Sequence, residues 1–103
     1  MRQVYLTAPR RFEVREAPEP GAIAPHEAVV RLEAIGVCGS DLHYFTEGQI
    51  GSQVVEYPFT IGHECAGVVE RVGEAVGRVA VGDRVAVDPA MPCGECEWCR
   101  RGR

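Results

Sequence analysis

The sequence contains no lysine: all eleven basic residues are arginine, set against fifteen acidic ones for a formal charge of −4. That balance disfavours a nucleic-acid footprint, which needs a basic face. The arginines form no single stripe, although Arg100, Arg101 and Arg103 cluster at the end. Arginine without lysine is a weak compositional sign of a biased genome or a heat-adapted host. No apolar run approaches the roughly 20 residues of a membrane-spanning helix. Residues 1–7 are already patterned as a strand and lack the apolar stretch and small-residue cleavage site of a secretory signal. Also missing is any Gly-x-Gly-x-x-Gly fingerprint, so nucleotide binding is not read from this piece. With 103 residues the chain fits one small domain, too short for a catalytic domain plus a full nucleotide-binding domain.

Cysteine is plentiful by contrast, with five residues in two unequal groups. Without export, thiolate ligands or buried thiols explain them better than disulfides, and an odd number cannot pair completely within one chain. A cytoplasmic location is expected.

The grammar is mostly β. Gln3 to Leu6 and Arg11 to Arg15 read as strands of a hairpin, with Phe12 and Val14 on one face. The prolines between Glu16 and His26 predict a loop. Glu27 to Val37 alternates as a strand with Val30, Leu32 and Ala34 on one side. Ser40 to Thr46 is expected as a short helix with Ser40 as N-cap and Gly48 as terminator. Gly48 to Pro58 reads as a loop. Cys65 to Val72 is a strand expected to turn Ala66, Val68 and Val72 inward. Glu70 shares their parity, so either a bulge intervenes or that face meets solvent. Arg84 to Val87 is a last strand before Pro89 and Pro92 break order. Short strands with Gly/Pro turns fit a sandwich or barrel better than βαβ repeats.

Cys93, Cys96 and Cys99 are separated by two residues each, a spacing at which thiolates bend around one tetrahedral ion. The fourth donor is either missing or lies beyond Arg103, in a zinc lobe expected to begin near residue 89. An iron–sulfur cluster competes, but its common ferredoxin run calls for a cysteine at position 103, where arginine stands. Such a lobe fastens a loop and performs no chemistry.

Cys38, in Gly36-Val37-Cys38-Gly39-Ser40-Asp41, and His63-Glu64, in Gly62-His63-Glu64-Cys65, are weak signals singly. A lone cysteine after a strand is usually a small buried hydrophobe. Together they offer a thiolate, an imidazole and a carboxylate with one position open, the donor set of catalytic zinc. Ser40 could pass a proton outward. Asp41 or Glu64 could instead orient the ligands from behind. His43 and Tyr44 are further polar groups available to a pocket. Cys65, next to Glu64 in a strand, should point the other way and pack.

Three stretches carry a family resemblance: Gly36 to Tyr44, Gly62 to Val69, and Gly82-Asp83-Arg84-Val85 followed by the cysteine triplet. In order and over nearly the whole chain, they resemble the N-terminal catalytic domain of zinc-dependent medium-chain alcohol dehydrogenases, most closely the sorbitol and xylitol branch. The resemblance implies a mainly β, GroES-like irregular barrel with short helices and a zinc lobe, present here as an incomplete domain over residues 1–103. It implies Cys38 and His63 as catalytic zinc ligands. Glu64 then binds that metal directly or approaches it during exchange. Ser40 becomes the proton-relay hydroxyl and Tyr44 a wall of the polyol pocket. Cys93, Cys96 and Cys99 become three of four structural zinc ligands.

The implied activity is zinc-assisted hydride transfer from a secondary alcohol or polyol to NAD or NADP, in a homo-oligomer whose Rossmann domain is absent from this chain. The fragment alone is expected to be inactive. Threonine-type or general alcohol dehydrogenases of the same family remain open, because animal sorbitol dehydrogenases often lack the lobe cysteines. From other classes, a zinc-stabilised β interaction module would leave Cys38 facing solvent without a metal near His63, and a zinc hydrolase would use Glu64 as general base without nicotinamide. A quinone reductase of the same fold would lack the zinc ligands.

Overall fold

Alternating apolar residues around short, Gly- and Pro-rich connections produce ten elements in the computed structural model, which describes residues 1–102; the end of the predicted lobe, Arg103, lies outside them. The first hairpin pairs β1 (Arg2–Ala8) with β2 (Arg11–Glu16), setting Val4 opposite Val14 and Leu6 opposite Phe12. β6 (Phe59–Thr60) adds to the other side of β1, with Phe59 opposite Leu6. Leu6, paired on both sides, is fully buried. Phe12 stacks on Phe45 of the helix at 4.9 Å, which ties that helix to the hairpin.

The second sheet orders β3 (Ala28–Gly36), β7 (Glu64–Val72) and β8 (Arg84–Val87), all antiparallel. Two bulges interrupt the β3–β7 ladder. Val29 faces Arg71 and Val30 faces Val69, which leaves Glu70 unpaired; Leu32 faces Gly67 and Ala34 faces Ala66, which leaves Glu33 unpaired. The first resolves the parity conflict at Glu70 as a bulge. The inward face is nevertheless not the expected one. Gly67 and Val69 are the buried residues of β7, while Ala66 and Val68 are half-buried. The extra residue at Glu70 then returns Val72 to the face of Val69. Arg31 closes over both bulges, 3.1 Å from Glu33 and 3.0 Å from Glu70.

α1 (Gly39–Glu47) corrects the expected cap. Cys38, not Ser40, is the N-cap, because Asp41 in the first turn reaches back to accept the Cys38 backbone N–H at 3.0 Å. Gly48 ends the helix at φ 70°, a left-handed conformation that costs glycine little, and its N–H donates to the Tyr44 carbonyl at 3.1 Å. The segment read as a loop carries a small hairpin of β4 (Gln49–Ile50) and β5 (Gln53–Val54). Val55 beyond it is buried and donates its N–H to the Gly48 carbonyl at 2.9 Å. α2 (Glu97–Arg100) is a single turn in the cysteine lobe.

The fold is mainly β with short helices, and among the described residues its three sheets stay separate rather than closing into a true barrel. Leu6, Val55 and Val69 are the buried apolar residues, whereas Ile35, Val37 and Leu42 are 65%, 74% and 57% exposed. With Val4, Phe12 and Ile61 they border an apolar cleft of about 370 Å³. No helix among the described residues is long and apolar enough to cross a membrane.

Candidate metal centre

Strand register brings the first donor set together. In the antiparallel β3–β7 pair Gly36 lies opposite Glu64, so β3 ends and β7 begins at the same edge of the sheet. Cys38 leaves that edge two residues after Gly36, and His63 enters it one residue before Glu64. A separation of 25 positions along the chain thus collapses to one corner. The donor atoms of Cys38, His63 and Glu64 all lie within 4.8 Å of one another. Cys38 and His63 are half-buried and Glu64 is exposed.

Gly36 makes room for this arrangement. A β-carbon there would stand 2.6 Å from Glu64 Oε2 and 3.0 Å from Glu64 Cβ, so a side chain would displace the carboxylate. Sequence reasoning missed this role; its only signal is a glycine closing an otherwise regular strand.

Asp41 organises the corner from behind. It is the buried charged residue of the fold; Oδ2 accepts the Cys38 N–H, and Oδ1 lies 3.4 Å from His63 Nδ1. Oδ1 nevertheless makes no hydrogen bond and stands as a buried acceptor without a partner. An uncompensated buried carboxylate oxygen is costly. It is explained if a ligand draws His63 into line, since ligating imidazoles donate their other ring N–H to a carboxylate or carbonyl. A thiolate, an imidazole and a carboxylate, converging with a carboxylate behind the imidazole, suit zinc.

The second convergence is Cys93, Cys96 and Cys99, again with donors within 4.8 Å. The Cys99 sulfur lies 3.4 Å from that of Cys96 and 3.8 Å from that of Cys93. Cys96 caps α2, its sulfur accepting the Cys99 N–H at 3.5 Å, while the Cys96 N–H donates to the Cys93 sulfur at 3.4 Å. The backbone N–H groups of Glu95 and then Cys96, pointing at the sulfur, lower the Cys93 thiol from 9.0 to about 7. Metal binding needs thiolate, so this loop is prepared for it.

Ser40 and Tyr44 occupy successive turns of α1 and so lie on one face of the helix. Tyr44 does not join the donor set. It leans on Phe59, ring centroids 5.3 Å apart, and its hydroxyl donates to Gln53 Oε1 at 3.3 Å. Cys65 pairs across the sheet with Ile35 and Val87, is half-buried, and stands outside both donor sets.

Taken together, the described residues form a GroES-like β domain with two candidate metal clusters, one at a sheet edge and one in a lobe. The chain belongs to the alcohol dehydrogenase GroES-like domain family, which it matches over residues 24–103. It is 47% identical over 103 residues to a sorbitol dehydrogenase of Bacillus subtilis (strain 168), covering 100% of this chain and 29% of that protein. The structure of galactitol-1-phosphate dehydrogenase from Escherichia coli superposes with a TM-score of 0.86 at 32% identity, over 98% of this chain and 28% of that one. A short chain alcohol dehydrogenase from Escherichia coli CFT073, complexed with NADH, gives a TM-score of 0.76 at 38% identity, over 99% of this chain and 28% of that one. The chain spans less than a third of the length of these relatives.

Proposed function

We propose that residues 1–103 are the N-terminal part of the catalytic domain of a zinc- and NAD(P)-dependent dehydrogenase that oxidises a secondary alcohol of a polyol. The observation that carries this is the convergence of Cys38, His63 and Glu64 at one sheet edge, within a family whose similar members include a sorbitol dehydrogenase and a galactitol-1-phosphate dehydrogenase. Cys38, His63 and Glu64 hold the catalytic zinc, and His63 uses the ring nitrogen that does not face Asp41. Cys93, Cys96 and Cys99 supply three of the four ligands of a structural zinc. When bound, the catalytic metal supplies Lewis acidity to the alcohol oxygen, and the nicotinamide accepts hydride.

This chain's own residues do the remaining work. Ser40, in the first turn after Cys38, takes the alcohol proton at its hydroxyl and passes it toward solvent. Asp41 fixes the Cys38 backbone and the His63 ring, so both donors stay aimed during turnover. Glu64, exposed beside Cys38 and His63, would supply the third ligand to that metal. Tyr44 lines the pocket for the rest of the polyol.

In the intact enzyme we place a Rossmann domain for NAD or NADP in the remainder of the protein, a sheet closed into an irregular barrel over the exposed Ile35, Val37 and Leu42, a homo-oligomeric assembly and a cytoplasmic location. The test is NAD(P)⁺-dependent oxidation of sorbitol by the full-length, zinc-loaded protein, followed by the appearance of reduced nicotinamide. Activity is expected, with its loss in Cys38→Ser. Activity that persists in Cys38→Ser, or hydrolysis without nicotinamide, overturns the assignment.

A further inference from the structure

The β4–β5 hairpin follows the end of α1 directly and is tied to Gly48 through the buried Val55. Its position relative to the helix is therefore set by packing. Between the two runs an open cleft of about 530 Å³, bordered by Tyr44, Ser52, Gln53, Glu56 and Phe59. That size is in the range of small-molecule sites, ~300–1,000 Å³. Its polar groups are a phenol, a hydroxyl, an amide and a carboxylate, which suits a neutral ligand rich in hydroxyls.

Tyr44 borders this cleft, and one helical turn before it stands Ser40, two residues after Cys38 of the metal corner. Ser40 and Tyr44 are one turn apart, which is about 6 Å along the axis, and helical side chains lean toward the N-terminus, so Tyr44 leans back toward Ser40. A chain of carbons with its reacting hydroxyl beside Ser40 would carry later hydroxyls past Tyr44. There the Tyr44 O–H donates to Gln53 Oε1 at 3.3 Å, and the Phe59 ring braces the Tyr44 ring from the side. Among the described residues the Gln53 amide nitrogen donates to no side chain or backbone group, so both of its protons are available to a ligand.

We propose that Gln53, held by Tyr44, is a specificity-determining residue that hydrogen-bonds a hydroxyl of the polyol remote from the carbon being oxidised. This rests on the dehydrogenase reading above and adds to it the residue that separates polyols from simple alcohols. A site equipped to bond a substrate hydroxyl discriminates against analogues lacking it, because its polar groups are then left unpaired.

The test compares sorbitol with 2-butanol, which keeps a secondary alcohol and lacks the other hydroxyls, in the full-length zinc-loaded enzyme. Gln53 is exposed, so Gln53→Leu should fold and retain its zinc. For sorbitol it should lower kcat/KM and weaken direct calorimetric binding about tenfold, a loss expected for one hydrogen bond. For 2-butanol kcat/KM should not change. Tyr44→Phe keeps the ring on Phe59, and combining it with Gln53→Leu should cost little more than either alone, because the two act as one unit. A sorbitol-to-2-butanol ratio that is the same in wild type and Gln53→Leu overturns this inference while leaving the dehydrogenase reading intact. A wild-type enzyme that oxidises neither alcohol overturns that reading itself.

Discussion

His63 turns Nδ1 toward Asp41 Oδ1 across 3.4 Å, while the other Asp41 oxygen holds the Cys38 backbone N–H at 3.0 Å. One buried carboxylate therefore lies against two residues that are far apart in the chain and bonds one of them. Its partnership with His63 is looser than a hydrogen bond, and its Oδ1 is the unsatisfied buried side-chain atom found among the described residues. Replacing it with an amide removes the charge behind the imidazole and keeps the shape. Asp41→Asn should weaken zinc at the Cys38 site by about 10–100-fold, as is usual for residues supporting a metal ligand. Chelator competition on the full-length protein measures this, and zinc in the cysteine lobe should be unaffected.

Gly36 tests the register argument separately. A methyl group there meets the movable end of Glu64 first, at 2.6 Å from Oε2, and its Cβ at 3.0 Å. Gly36→Ala should fold, with a melting temperature within a few degrees of wild type, and should lower zinc affinity at the Cys38 site. Gly36→Ala combined with Glu64→Ala should fold with no further loss of metal beyond Glu64→Ala alone. A large extra loss in the pair would mean that Gly36 acts through the backbone instead.

Cys96 is both a candidate donor in the lobe and the cap of α2. Cys96→Ser keeps a capping oxygen but removes a thiolate. Elemental analysis should show one zinc fewer per chain, with the Cys38 site still loaded, together with a lower melting temperature. Loss of both ions in parallel would contradict the independence of the two clusters.

The lobe should also respond to pH. Cys93 titrates at about 7 where an ordinary thiol titrates at 9.0, because the Glu95 and then the Cys96 N–H groups stabilise its thiolate. A pKa lowered by folding gives a contribution fully present above the ordinary thiol value and lost as pH falls through about 7. In zinc-stripped protein, alkylation of Cys93 should therefore be half-maximal near pH 7. Mass-spectrometric labelling across a pH series reads this directly, and a midpoint near that of a free thiol would contradict it.

Much of this is legible in the sequence, for identifiable reasons. Strand periodicity located β1, β2, β3, β7 and β8 to within a residue or two, and Gly48 marked the end of α1 through its left-handed turn. The donor types at Cys38, His63 and Glu64 could be named from chemistry. Spacing alone does not bring them together, because that depends on which strands pair and in what register; the family resemblance is what implied their meeting. The inner face of β7 was misread because a bulge adds a residue without changing composition, so Gly67 and Val69 took the place of Ala66 and Val68. Ser40 is the better cap by residue preference, yet the Asp41 side chain bonds the N–H of Cys38 and sets the cap two residues earlier. Gln53 gave no signal, since its importance comes from a short hairpin hidden in a stretch that reads as loop.

The most direct measurement is anomalous diffraction at the zinc absorption edge on crystals of the full-length protein. We predict one peak within bonding distance of Cys38 Sγ and His63, with Glu64 beside it, and a second enclosed by Cys93, Cys96 and Cys99. A fully ordered Cys38–His63 corner with no peak, in crystals whose lobe is loaded, would contradict the assignment of a catalytic metal to this chain.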